Sequence, residues 1–164
     1  MDITNEAQLR AVFEESIRRA IENTTKEVLG IFQKKFIMKY AYYNSGKNER
    51  YFDETGEPTW EFFQAWNWTP VEKKINRIVS ELWYNPAGVE HIRSKFKHGS
   101  KYSRPEDVSE NMPAILEGKQ SSLWLSVPRR GKFWELFITE MIDNNKLGNI
   151  LKKELKSQGL NIIE

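Results

Sequence analysis

The chain has 164 residues, 39% of them apolar and 29% charged, and its 25 basic and 23 acidic residues nearly cancel to a net charge of +2. That length suits one domain spanning 1–164, and so even a balance gives global charge no part in binding nucleic acid. The absence of cysteine excludes disulfides, thiol nucleophiles and cysteine zinc sites, and it fits assembly in a reducing cytoplasm.

The first residues lack the basic-then-apolar pattern of a signal peptide. No apolar run approaches the roughly 20 residues of a membrane span. A soluble intracellular protein with no membrane partner is expected.

Residues 5–41 read as one long helix. Leu9, Val12, Phe13, Ile17, Ala20, Ile21, Val28, Ile31, Phe32 and Phe36 recur at three- and four-residue steps and give one apolar stripe. Asn5 is placed to cap its start, with Gln8 three positions on. A helix of that length would run to roughly 50 Å, more than one small core needs, so part of it is expected to pack on something else. Gly30 and the pair Thr24-Thr25 are its weak points. The stretch 42–58, with two glycines, a proline and many polar residues, is the main loop.

After it comes "TWEFF", which suits a single helical turn. "AWNWTPV" then alternates as a strand does. Residues 71–83 fit a helical period through Ile75, Ile78, Val79 and Leu82, yet end in β-branched and aromatic types. A β-hairpin or meander is preferred there, with a helix as the alternative. "EDVSENMPAILEG" (106–118) predicts a short helix kinked at Pro113, and "SLWLSVP" (122–128) a strand or extended arm.

Residues 132–144 predict an amphipathic helix with Phe133, Trp134, Phe137, Ile138, Met141 and Ile142 on one face. A last helix follows over 146–159, with Leu147, Ile150, Leu151 and Leu155 inward and Gly159 as its stop; "LNII" is then a candidate strand. The fold class expected is α+β: a long N-terminal helix, a small antiparallel sheet, and two to three further helices packed on it.

Candidate chemistry is sparse. His91 and His98 are the only histidines, and their spacing offers no metal site. Asp53, Glu54 and Glu57 could do acid–base work only if burial raised one of them, and a loop rich in polar residues argues for solvated acids. No nucleophile elbow or phosphate-binding glycine loop is present. No enzyme activity, cofactor or metal is expected.

Two surfaces remain. Arg93, Lys95, Lys97, Lys101 and Arg104 interleave with Phe96 and Tyr102, a pattern that suits phosphate contact, while a solvated loop is the preferred reading; Arg129 and Arg130 add a second basic point. The other surface is aromatic. Most of the rings around 60–83 and 133–134 should form a core, but a short sheet with rings on both faces carries more apolar surface than one helix layer covers. Trp60, Phe62, Trp66, Trp68 and Trp83 are therefore the expected subunit interface.

The order of features resembles that of the small tail-completion or neck proteins of tailed bacteriophages. These features are the long first helix, "TGEPTWEFFQAW", "HGSKYSRPEDVSENMPAILEG", and "RRGKFWELFI" with "GLNII" at the end. The "EP" after "TG" and the pronounced C-terminal helices depart from the family's simplest members. The resemblance implies a non-enzymatic virion protein that assembles in the host cytoplasm. Several copies would form a ring at the head–tail junction, between the head connector or adaptor and the tail terminator or tail tube. In such a ring the basic positions would touch DNA or face acidic neighbours. The rival reading is a nucleic-acid-binding accessory protein using 93–104.

Overall fold

The structure, a computed structural model, describes residues 5–43, 51–75, 77–89, 113 and 133–160. The basic positions Arg93, Lys95, Lys97, Lys101, Arg104, Arg129 and Arg130 lie outside the described residues, as do both histidines. So do the expected segment at 122–128, the last strand beyond Leu160, and the 106–118 helix apart from Pro113.

The first helix, α1 (Glu6–Ile31), is capped as its sequence predicts: the Asn5 side chain accepts from the Gln8 N–H at 2.9 Å. It is about 39 Å long at 1.5 Å per residue. Beyond Ile31 the chain stays helical but winds more loosely, as a π-helix over Phe32–Tyr42. The one long helix expected over 5–41 is thus present, with its last part in π winding. The cause is visible in what becomes buried: Phe32, then Phe36 and Ile37, then Ala41 and Tyr42. Those steps of four and five residues keep one face inward only if the hydrogen bonds reach from i to i+5.

A tight loop follows. Phe52 bridges Pro58, and Thr59 N–H donates to the Tyr51 carbonyl at 2.9 Å. The short helix α2 (Glu61–Gln64) leads directly into β1 (Trp66–Trp68). Then come β2 (Glu72–Lys74), β3 (Arg77–Val79) and β4 (Leu82–Tyr84).

β1 pairs antiparallel with β4, Asn67 opposite Trp83, and β2 pairs with β3, Lys73 opposite Ile78. The four strands thus form one nested hairpin ribbon with a break in its middle, where Pro70 brings no N–H to the ladder. Thr69 bridges the break, its N–H donating to the Glu81 carbonyl at 2.8 Å and its hydroxyl accepting from Glu81 N–H at 2.9 Å. The β preference for 71–83 is correct and the helical alternative is not.

At the C-terminal end α3 (Phe133–Ile138) runs into a π-helical turn (Thr139–Asp143), and α4 (Lys146–Ser157) closes the described chain. Gly159, at φ 79°, ends α4 with its N–H on the Lys156 carbonyl and Leu160 N–H on that of Leu155, a Schellman stop. The architecture is α+β.

Phe32 is the hub of the core. Its ring lies 4.7 Å from Trp66, 4.7 Å from Phe137 and 5.5 Å from Trp134, so one side chain joins the π segment, the ribbon and α3. α4 packs along α1 over Ala20, Thr24 and Val28, a ridge of small residues four apart that is buried throughout. The Thr24 hydroxyl stays satisfied there by donating to the Ala20 carbonyl at 2.7 Å.

Candidate interaction surfaces

The loop quoted as "DETGEP" (53–58) holds its own acid in place. The Asp53 carboxylate accepts from Thr55 N–H at 2.9 Å, the Thr55 hydroxyl at 2.7 Å and Glu57 N–H at 3.0 Å. Gly56 supplies the left-handed residue this turn needs, at φ 81°. Those bonds, the Thr55 hydroxyl first, hold the Asp53 carboxyl below the usual carboxylate range. That is the opposite of what a general acid requires. Asp53 builds a turn, and the turn delivers Trp60.

The five residues expected at an interface divide. Phe62 is 0% exposed and Trp66 6% exposed, both inside the chain's own core, so placing these two at an interface is corrected. The reason is the turn of helix at 61–64, which rotates Phe62 onto Tyr51 and Tyr84. Trp66 meanwhile lies between Phe32 and Tyr84. Trp68 is half-buried, with the Lys26 ammonium 4.8 Å above its ring. Trp60 and Trp83 remain exposed, at 37% and 42%. Trp60 leans on Tyr42 at 4.8 Å and on Phe63 at 6.2 Å, while Trp83 sits on the outer face of β4 opposite Asn67.

Two further apolar surfaces escape the sequence reading. The N-terminal half of α1 and the tip of the β2–β3 ribbon border an open groove of about 550 Å³ lined by Phe13, Ile17, Ile21 and Ile78, with Ile75 at its rim. Ile75 stands 96% exposed at the ribbon tip. The signal was there to read: an isoleucine between Lys74 and Asn76, where a turn favours polar residues. The groove's edge carries Arg10, Lys73 and Arg77. Lys73 is matched by Glu14 at 2.5 Å, which draws the Glu14 carboxyl below its ordinary range.

The second surface is the outer side of 133–143. Leu136, Ile138 and Ile142 are all exposed there, whereas the sequence placed Ile138 and Ile142 on the inner face. Burial instead follows Phe133, Phe137 and Met141 at four-residue steps, which leaves Ile138, at the end of α3, and Ile142, in the π turn, outside.

A polar clamp holds these elements together. Glu140 accepts from both Lys35 of the π segment and Lys146 of α4, and those two bonds, Lys146 first, keep its carboxyl low. Burial pushes the Tyr42 and Tyr84 phenols up, so both stay neutral at physiological pH. Among the described residues no group of three or more His, Asp or Glu is placed to hold a metal ion, and no helix is long and apolar enough to cross a membrane.

Comparison of the chain with known protein families, with curated proteins and with solved structures finds no match.

Proposed function

We propose that this chain is a non-enzymatic structural protein of a tailed-phage virion, assembling as a ring at the neck between the head connector and the tail. The observation that carries the reading is apolar surface left over once the core is filled. Trp60 and Trp83 stay exposed although Phe62 and Phe133 are fully sequestered and Trp66 is buried. Large apolar side chains exposed at several separate places suit a protein that meets neighbours on more than one side. The order of motifs from "TGEPTWEFFQAW" to "RRGKFWELFI" supports the placement at a neck.

In this reading the chain folds in the host cytoplasm and is retained in the particle, with no turnover and no cofactor. An antibody raised against the purified protein is expected to label the head–tail junction of purified particles in electron micrographs. Absence of the chain from those particles overturns the reading.

A further inference from the structure

The tip of the β2–β3 ribbon carries an isoleucine where a turn favours polar residues. Ile75 lies in the turn itself and is almost wholly exposed, and the run from Lys73 to Arg77 holds three cations and no acid. We propose that this tip is a DNA-binding arm. Ile75 enters the minor groove of a duplex and wedges against the base stack, while Lys74 and Arg77 hold phosphates on either side. The arm is separate from the basic positions at 93–104 and does not depend on the neck reading.

The ladder sets the geometry. Lys74 stands opposite Arg77, so their side chains leave the same face of the ribbon, one from each strand, with Cβ atoms about 5 Å apart. Neither makes an ion pair among the described residues. Lys73 leaves the other face and is matched by Glu14 at 2.5 Å, so it adds no net charge there. The ribbon's own acid on the Lys74 face is Glu72, two positions back and so about 7 Å further from the tip. A polyanion arriving at the tip meets two unmatched cations first.

Duplex DNA is the partner this arrangement selects. Its minor groove, about 6 Å wide, runs between two rows of phosphate over the edges of stacked bases. The ribbon presents an apolar apex between two cations, one on each strand. An apolar side chain that enters there partly unstacks a base step and bends the duplex. An acidic protein surface would satisfy the cations and leave Ile75 uncovered. A bilayer would accept Ile75, but one isoleucine offers less apolar surface than a single myristoyl chain, which itself binds only marginally.

The test uses the full chain and a duplex of about 20 base pairs with a dye at each end, so that anisotropy reads binding and energy transfer reads bending. The parent is expected to bind at low salt and to bring the two ends closer. Lys74→Ala combined with Arg77→Ala should weaken binding about tenfold or more and lower the slope of log affinity against log salt by about 2. Ile75→Ser should keep the parent's slope and lose the bend. All three positions are exposed, and circular dichroism of each variant should match the parent.

No binding by the parent at about 1 mM, or parent-like affinity and slope in the double variant, overturns the arm. So does an Ile75→Ser chain that bends the duplex as the parent does. Tighter binding to anionic vesicles or to polyglutamate than to the duplex, lost in the same variants, assigns the tip to a membrane or an acidic protein and overturns the DNA contact. None of these outcomes touches the neck reading, which falls only if the chain is absent from particles.

Discussion

Trp60 has φ 61° and ψ −1°, the left-handed region that costs a residue with a Cβ about 1–2 kcal/mol. The turn built on Asp53 and the packing of its ring on Tyr42 hold it there. Replacing Trp60 removes the ring contacts whichever residue follows, but glycine also removes the strain. Trp60→Gly is therefore expected to be more stable than Trp60→Ala by about 1 kcal/mol, as read by urea unfolding; the reverse order would mean that the backbone relaxes there. Phe32 lies at the other extreme, fully enclosed and touching rings from three elements. Phe32→Ala should cost about 3–5 kcal/mol, a large share of the roughly 5–15 kcal/mol that holds a domain together. A loss below about 1 kcal/mol in the same unfolding experiment would show that Phe32 is not the hub.

At the scale of elements, the closeness of α1 and α4 depends on the small ridge of Ala20, Thr24 and Val28. Leucine at position 20 would push α4 outward. Ala20→Leu is expected to destabilise by about 1–3 kcal/mol and to stretch the bonds from Lys153 to Glu27 and from Asn23 to Glu154, now 3.2 and 3.0 Å. The Glu140 clamp makes the same assembly sensitive to acid. Its folded carboxyl titrates below the ordinary value, so as pH falls below about 4.3 the unfolded chain takes up the proton first and stability declines. Above that pH the contribution is fully present. Glu140→Gln should flatten the pH dependence of the unfolding midpoint in that window, an effect of at most about 1 kcal/mol for a clamp with exposed lysines.

For the molecule as a whole, what matters is how apolar surface divides between the inside and the outside. Exposed Trp83 is expected to serve assembly more than folding. Trp83→Thr, which keeps a strand-forming residue on β4, should leave unfolding stability within about 1 kcal/mol while reducing oligomer mass in light scattering. A fall in stability with assembly unchanged would reassign Trp83 to the fold.

Local chemistry was legible from the residue order because it is settled within a few positions along the chain. The Asn5 cap, the acid–glycine turn, the strand preference of 71–83 and the glycine stop at 159 depend on backbone geometry and neighbours only. Which rings face inward could not be read that way. Residues 32–42 and 139–143 wind as π-helix where an apolar period of three and four predicts α, and each change of pitch turns side chains to a different side. The α+β class thus followed from sequence. The exposure of Ile138 and Ile142, the burial of Phe62 and Trp66, and the groove beneath Ile75 were decided in three dimensions, because each depends on elements distant in the chain competing for the same apolar contacts.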